Sequence, residues 1–262
     1  MADLETHETI SVQTPLESLN DSLNLWVDYW NQNDFWNSTP LWKINAAIFY
    51  LNLKKIIPLQ PNEPVLSIGC GPGYFEKLLA KDVERIVACD VSENFIRIAK
   101  ELCQKKTNVE FRLLGEDYTH LESFEGPYSL ILCNGVIQYY KDTSEILNLV
   151  RSAQKIVCHG SRMLISDLPM KRSLGGRILD WMQALLLSIP GRYFLEFIQV
   201  SYAWLIHGAI YRMYERAQRS MKFSATELQE LAKSIQEMGL KVSIVKQPVS
   251  CFANRPSLLI YF

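Results

Sequence analysis

From residue 65 onward, short apolar runs alternate with longer stretches in which apolar residues recur at helical spacing. A short apolar run is typical of a buried strand, and recurrence every three to four residues is typical of an amphipathic helix. The pattern predicts strands at residues 65–68, 86–89, 109–114, 128–133 and 162–166. It predicts helices between them at residues 75–80, 94–106 and 142–157. This alternation is typical of a parallel sheet with helices on both faces.

The end of the chain predicts one more helix and two more strands. Ser224 and Glu227 are spaced as in a capping box, just before an amphipathic stretch at residues 226–238. Asp142 and Glu145 show the same spacing at the start of an earlier helix. The last two predicted strands are residues 240–245 and 258–262. The whole pattern therefore predicts an α/β fold with a doubly wound, mostly parallel seven-stranded sheet.

The N-terminal part has a different character, because four of the six tryptophans lie between residues 26 and 42. Trp26, Tyr29 and Trp30 share one face of a predicted helix, at spacings of three and four residues. Two interpretations are open. The stripe packs this helix against the core, or it forms an aromatic lid over a pocket.

Residues 171–222 interrupt the alternation and are predicted to be a helical insertion that caps an acceptor site. Residues 193–211 are almost entirely apolar and approach the length of a membrane span, but Glu196 and His207 would be costly in lipid. We therefore expect a buried or interfacial helix. The predicted units are residues 1–57, an arm and aromatic helical lid; 58–170, a core; 171–222, the insertion; and 223–262, which complete the sheet.

The charge of the chain limits its partners. The formal net charge is −1, which argues against a nucleic-acid-binding protein. Residues 160–222 contain nine basic and four acidic side chains, and Arg212, Arg216 and Arg219 share one helix face. That face is either simply solvated, or it meets an anionic amphiphile or a membrane surface. The six cysteines are scattered and predict no metal site, and the absence of a signal-peptide pattern favours the cytoplasm.

Three glycines spaced two apart, Gly69, Gly71 and Gly73, follow the first predicted strand. Glycines allow a ligand to approach the backbone closely. Asp90 ends the next strand at the same edge of the sheet, where a carboxylate can accept hydrogen bonds from both hydroxyls of a ribose. Tyr74 occupies the position of the third glycine of a dinucleotide-binding motif, so a nucleoside-containing cofactor other than NAD is favoured.

Four segments resemble the motifs of the class I S-adenosylmethionine-dependent methyltransferases, which have a Rossmann-like fold. They are residues 65–75, 89–91, 115–117 and 128–139. The resemblance extends over about residues 63–169, and more weakly over 224–262. It implies S-adenosylmethionine as the cofactor, with contacts from Ser67, Gly69, Cys70, Gly71, Gly73, Asp90, Val91, Glu116, Asp117, Asn134 and Gly135.

One position departs from the family. Where the family usually has an acid that helps hold the amino group of the cofactor, this chain has Ser67. A serine hydroxyl can accept a hydrogen bond but carries no charge.

The resemblance implies methyl transfer to a small acceptor, and the aromatic and apolar regions favour an apolar or aromatic one, amphiphilic or anionic in one interpretation. Methylation at oxygen is expected ahead of nitrogen or carbon. Candidate groups for contact or proton removal are His207, Asp167 and Tyr139. Two alternatives stay open: a non-catalytic or membrane-associated methyltransferase-like subunit, and an NAD-dependent oxidoreductase.

Overall fold

The computed structural model describes residues 22–32, 40–115, 119–171, 220–250 and 255–262. Most of the predicted insertion, residues 172–219, and the first 21 residues lie outside these ranges. The predicted division into four units stays a prediction.

Seven strands form one sheet, in the order β3-β2-β1-β4-β5-β7-β6. The pairs among the first five strands are parallel, and β7 runs antiparallel to both of its neighbours, β5 and β6. This confirms the predicted mostly parallel, doubly wound sheet. The strands are β1 Pro64–Ile68, β2 Arg85–Asp90, β3 Val109–Leu113, β4 Tyr128–Asn134, β5 Val157–Ser166, β6 Lys241–Val245 and β7 Ser257–Tyr261.

Helices cover the two faces of this sheet. The described helices are α1 Ser22–Gln32, α2 Pro40–Ile56, α3 Tyr74–Leu79, α4 Glu93–Leu102, α5 Thr143–Gln154 and α6 Ala225–Glu237. The capping box predicted from Ser224 and Glu227 is present at the start of α6.

The core lies on both sides of the sheet because successive residues of a strand point to opposite faces. Leu66 and Ile68 of β1 belong to a cluster that includes residues of α5 and α6. Val65 belongs to a second cluster, which includes residues of α2, α3 and α4. Both faces of β1 are thus covered, which explains why its sequence is a continuous apolar run rather than an alternating one.

The segment between α5 and β5 differs from its prediction. Helix α5 ends at Gln154 rather than near Val157, and β5 begins at Val157 rather than at Arg162. Val157 pairs with Tyr128 of β4, and a register shift separates this pair from the Leu130–Arg162 pair. Sequence periodicity does not record such an irregular extension, because it depends on a partner strand.

The capping box predicted at the start of α5 is also wrong in detail. Asp142 does cap the helix, but its carboxylate accepts a hydrogen bond from the backbone N–H of Ser144. The Glu145 carboxylate accepts from the N–H of Lys141, one residue before the cap. The two acids therefore stabilise the helix start separately instead of reciprocally.

Within the ranges that the structure describes, we find no helix with both the length and the apolar character needed to cross a bilayer. Residues 193–211, whose composition raised that question, lie outside those ranges.

Candidate functional site

A cavity of about 500 Å³ opens at the carboxyl ends of β1, β2 and β4. It lies where the strand order changes direction, since β2 and β4 flank β1 on opposite sides. In open parallel sheets, ligands bind at such a point because the loops after the two strands diverge and leave a crevice. The glycine turn after β1 forms part of the cavity wall.

The glycine turn has a backbone that only glycine adopts easily. Gly69, Gly71 and Gly73 have φ angles of 71°, 53° and 78°. A Cβ atom on Gly69 would lie 2.1 Å from Val136 Cγ2, and one on Gly73 would lie 2.8 Å from the Ala99 Cβ. Both the conformation and the close packing therefore require glycine, and the turn presents bare backbone to the cavity.

Asp90, the last residue of β2, is held rigidly at the cavity wall. Its Oδ2 accepts a hydrogen bond from the N–H of Gly71 at 2.8 Å, and its Oδ1 accepts from the N–H of Ser92 at 3.0 Å. Desolvation raises the pKa of this carboxyl to about 6, although the backbone donors favour its ionised form. Each oxygen keeps a lone pair with which it can bind a ligand hydroxyl.

A second buried carboxylate lies beside the glycine turn. Glu76 of α3 is 1% exposed, and its Oε1 accepts a hydrogen bond from Ser67 Oγ at 2.7 Å. Its Oε2 has no hydrogen-bond partner among the described residues. Burial raises the pKa of Glu76 to about 7. Ser67 and Glu76 both line the cavity.

Aromatic rings from α1 and α2 line the same cavity. Trp26 and Tyr29 of α1 are each 1% exposed, and Trp26 lies with its ring centroid 4.8 Å from that of Tyr139. The centroid of the Trp30 ring lies 6.1 Å from that of Trp42 and 5.5 Å from that of Phe95. We call the four rings from α1 and α2, those of Trp26, Tyr29, Trp30 and Trp42, the aromatic wall. These side chains are buried or half-buried and also line the cavity, whereas their action as a lid stays a prediction.

Asp167 follows β5 and has a φ of 61°, the only positive value found for a non-glycine residue in the described part of the chain. Its Oδ1 accepts a hydrogen bond from Ser250 Oγ at 2.5 Å, and its Oδ2 forms an ion pair with Arg255 Nη1 at 2.9 Å. Both oxygens thus have protein partners. The arrangement joins the end of β5 to the segment before β7 and places Asp167 and Arg255 on the cavity wall.

The segment after β4 supplies the remaining side of the site. Asn134 Oδ1 accepts a hydrogen bond from Ser166 Oγ at 2.8 Å, and the N–H of Gly135 donates to the Ser166 carbonyl at 3.1 Å. These bonds fix the turn that leads to the short 3₁₀ helix at Ile137–Tyr139. Tyr139 is thereby placed against the aromatic wall.

The cavity brings together most of the residues predicted from the sequence. Its lining includes Ser67, Gly69, Cys70, Gly71, Asp90, Val91, Asn134, Gly135, Tyr139 and Asp167. Gly73 packs behind the turn against α4. Glu116, Asp117 and His207 lie outside the described residues, so their proposed roles stay predictions.

Two charged residues of the described cavity wall were not predicted. Glu76 carried a signal, because it is an acid three residues before Leu79 on the apolar side of a short helix, where a charge is costly. Arg255 carried none, since it lies in a segment without periodicity and reaches the site only through the return of β7 to β5.

Comparison with known proteins fits this geometry. Residues 65–160, from β1 into β5, match the family described as "Methyltransferase domain". This part of the chain is therefore a methyltransferase domain. The match starts at the strand before the glycine turn, so it contains the turn, Asp90 and the segment after β4.

Curated relatives of this chain are distant. The ubiquinone biosynthesis O-methyltransferase of Hydrogenovibrio crunogenus is 26% identical over 157 residues, which are 59% of this chain and 61% of that protein. The malonyl-(acyl-carrier protein) O-methyltransferase of Acetivibrio thermocellus is 33% identical over 91 residues, 34% of this chain and 31% of that one. The aligned part of the chain thus spans less than two thirds of these relatives.

Solved structures support the same fold. Magnesium protoporphyrin IX methyltransferase from Synechocystis PCC 6803, with bound SAH, superposes with a TM-score of 0.57 at 16% identity and covers 91% of this chain and 98% of that one. Phosphoethanolamine N-methyltransferase 1 of Haemonchus contortus gives 0.59 at 15% identity, with 92% and 48% covered. At these identities the likeness shows the fold.

The described residues fit S-adenosylmethionine, the methyl donor of this family. The cofactor combines a ribose, a positively charged sulfonium and an amino-acid end. The glycine turn offers close backbone approach, Asp90 offers acceptors for hydroxyls, and the unpaired Glu76 oxygen offers a place for a cation. Of these features, the unpaired carboxylate oxygen is the one that a protein interior rarely leaves without a partner.

Proposed function

We propose that the protein transfers the methyl group of S-adenosylmethionine to a small apolar or aromatic acceptor, at oxygen in preference to nitrogen or carbon. The observation that carries this proposal is that the aromatic wall and the glycine turn line one continuous cavity. A cofactor on the turn and an acceptor on the wall would then lie next to each other.

On the cofactor side, the residues of this chain bind and orient. Asp90 would accept hydrogen bonds from the ribose, while the turn allows close approach of the ligand. The cofactor supplies an electrophilic methyl group that is already activated by the sulfonium charge, so the protein mainly aligns the acceptor and excludes water.

On the acceptor side, the aromatic wall favours a flat, apolar group. Rings buried against one another, such as Trp26 and Tyr139, offer faces for stacking and displace water from the reacting oxygen. The two curated relatives described above are both named O-methyltransferases, which supports the preference for oxygen.

Proton removal from the acceptor would fall to few groups. Asp167 and Tyr139 lie on the cavity wall, and His207 remains a candidate outside the described residues. The bonds of Asp167 to Ser250 and Arg255 suit it to position an acceptor hydroxyl, while an acidic phenol would need little help from a base.

The partner is therefore proposed to be a small molecule rather than a nucleic acid. Peripheral contact of residues 171–222 with a membrane, which would suit an amphiphilic acceptor, is a separate prediction from their apolar and basic sequence.

The experiment that tests the function is an acceptor screen with S-adenosylmethionine, read by product mass. Phenols and hydroxyquinones are expected to gain one methyl group, and amines of similar size to gain none. In Trp30→Leu, turnover of the best acceptor should fall by about tenfold or more, while S-adenosylhomocysteine still binds, because one face of the acceptor loses a ring contact.

Asp28→Ala is the matched control, since Asp28 is an exposed residue of the same helix. Failure of every acceptor class, by a protein that binds the cofactor, would favour the non-catalytic alternative. Methylation of amines alone would contradict the preference for oxygen.

A further inference from the structure

The Glu76 carboxylate has surroundings that do not satisfy it. It is almost fully buried, on the face of α3 that packs toward β1, next to Phe75 and Leu79. One oxygen accepts a hydrogen bond from Ser67, and the other has no hydrogen-bond partner among the described residues. Buried polar groups are almost always paired, and a buried charge without a partner is expensive.

The groups that face Glu76 do not neutralise it. Asp90 of β2 is also acidic, and the thiols of Cys70, Cys89 and Cys103 contribute no positive charge. Within the described residues, neither Glu76 nor Asp90 forms an ion pair. Two buried carboxylates that have no cationic partner among the described residues predict that the ligand brings positive charge, because the one cation on the described cavity wall, Arg255, is paired with Asp167.

We infer that Glu76 is the anionic contact for the amino group of S-adenosylmethionine. In this chain Glu76 would replace the acid that the family usually has in β1, at the position of Ser67. The inference rests on the proposed cofactor and goes beyond it in assigning a residue. Ser67 becomes a positioning residue, because its hydroxyl donates to Glu76 Oε1 and leaves Oε2 for the ligand.

The geometry gives the two acids separate tasks. Both oxygens of Asp90 are already tied to backbone N–H groups of the turns after β1 and β2, so this acid is fixed for neutral hydroxyls. Glu76 has one oxygen that is unpaired among the described residues. A hydrogen bond from a positively charged donor would be the strongest that this oxygen can accept. Loss of Glu76 should therefore weaken recognition of the amino-acid end of the cofactor and leave recognition of the adenosine end intact.

Two ligands separate these ends. S-adenosylhomocysteine has both, whereas 5′-methylthioadenosine keeps the adenosine and the thioether but lacks the amino-acid end. Isothermal titration calorimetry of each ligand with the full chain and with Glu76→Gln should show S-adenosylhomocysteine weakened by about 10- to 100-fold and methylthioadenosine changed by less than about twofold. Glu84→Gln, an exposed acid between α3 and β2, should change neither affinity.

A measurement on the unaltered protein guards against a variant that does not fold. Lowering the pH from about 8 to about 5.5 protonates Glu76 and should weaken S-adenosylhomocysteine more than methylthioadenosine. Asp90 also titrates in this range, but it contacts the end that both ligands share, so the ratio of the two affinities isolates Glu76.

An unchanged affinity of Glu76→Gln for S-adenosylhomocysteine, or equal losses for both ligands, would overturn the inference while the proposed function stands. A ratio of affinities that is independent of pH would overturn it in the same way. If the unaltered protein binds neither ligand, the proposed function fails, and the inference fails with it.

Discussion

At the scale of single residues, a buried carboxylate of a helix lies beside the serine of β1. Ser67 of β1 and Glu76 of α3 are nine positions apart in the chain, yet their side chains meet in a 2.7 Å hydrogen bond. A carboxylate that reaches from α3 lies at the end of β1, in the same place as a carboxylate carried by β1 itself would. Replacement of the strand acid by serine is thus compatible with a charged site.

The same carboxylate makes stability depend on pH. The pKa of Glu76 is raised from 4.5 to about 7, which means that the folded protein favours the protonated carboxyl. The stability that this protonated group contributes is fully present below pH 4.5 and is lost as the pH rises through 7. Glu76→Gln keeps an uncharged side chain at all pH values. Without ligand, this variant should exceed the unaltered protein at pH 8 by on the order of 2–3 kcal/mol in free energy of unfolding, and match it near pH 4.5.

Urea denaturation at the two pH values measures this difference. Asp90, whose pKa is raised to about 6, adds a slope of the same sign in both proteins, so the difference between them reports mainly on Glu76. Glu84→Gln controls for loss of a charge, because that side chain is exposed. A variant that is less stable at pH 8 would show that Glu76 stabilises the fold as a structural anion.

Sequence reasoning reached part of this residue-scale chemistry. Asp90 was found from its place after a strand, and Ser67 was found as the departure from a family pattern. Glu76 was missed because helical periodicity identifies its face but not what that face contacts. The ion pair of Asp167 with Arg255 was missed because the two residues are far apart in the chain.

At the scale of elements, the unit that positions the site is β1, its glycine turn and the segment after β4. The N–H of Gly69 donates to the carbonyl of Cys89 at 2.8 Å, which ties the turn to β2. Val136 packs directly against the turn from the other side. The turn is therefore clamped between the strands on either side of β1.

This clamp makes Gly69 hard to replace. In Gly69→Ala, the new methyl group would lie 2.1 Å from Val136 Cγ2, and the turn would hold the alanine backbone at a φ of 71°. Gly160→Ala is the matched control, since Gly160 has a φ of 83° with open space around it. Both variants should lose roughly 1–2 kcal/mol of the free energy of unfolding through backbone strain. Gly69→Ala should lose about 2 kcal/mol more, because its methyl group also clashes with Val136.

Chemical denaturation of the two variants gives the comparison. Trimming the neighbour in Gly69→Ala/Val136→Ala should recover part of the loss, because it removes the clash and leaves the strain. Equal stability of the two single variants would show that the turn is not tightly packed.

Most elements could be predicted because their signals are local. Apolar runs gave the strands, and Ser224 with Glu227 gave the start of α6. The end of α5 and the start of β5 were misplaced because the pairing of Val157 with Tyr128 extends the strand. Helix propensity does not record that pairing.

At the scale of the whole molecule, strand order decides where the ligand binds. The chain begins the sheet with β1, adds β2 and β3 on one side of it, and then crosses to β4 and β5 on the other. This reversal opens the crevice that holds both the glycine turn and the aromatic wall. The sequence analysis predicted the number of strands and their mostly parallel arrangement but not their order, because a pattern of strands and helices alone does not determine it.

A cofactor that binds only the folded chain must stabilise it as a whole. S-adenosylhomocysteine at 100 times its dissociation constant should add about 2.7 kcal/mol and raise the melting temperature. NAD at the same concentration should not, because Tyr74 stands where a dinucleotide site needs glycine. Differential scanning calorimetry measures both, and Asp90→Asn should reduce the first shift. A larger shift with NAD would favour the oxidoreductase alternative.

Ser92 joins the two halves of the site. Its N–H donates to Asp90, and its hydroxyl donates to Asn31 Oδ1 of α1 at 2.7 Å while also capping α4. Any ligand that tightens or displaces Asp90 therefore acts on the helix that supplies much of the aromatic wall. Such coupling is reciprocal. If the two halves bind cofactor and acceptor as proposed, this connection predicts that occupancy of one half changes the affinity of the other, so that the two ligands enter in a preferred order.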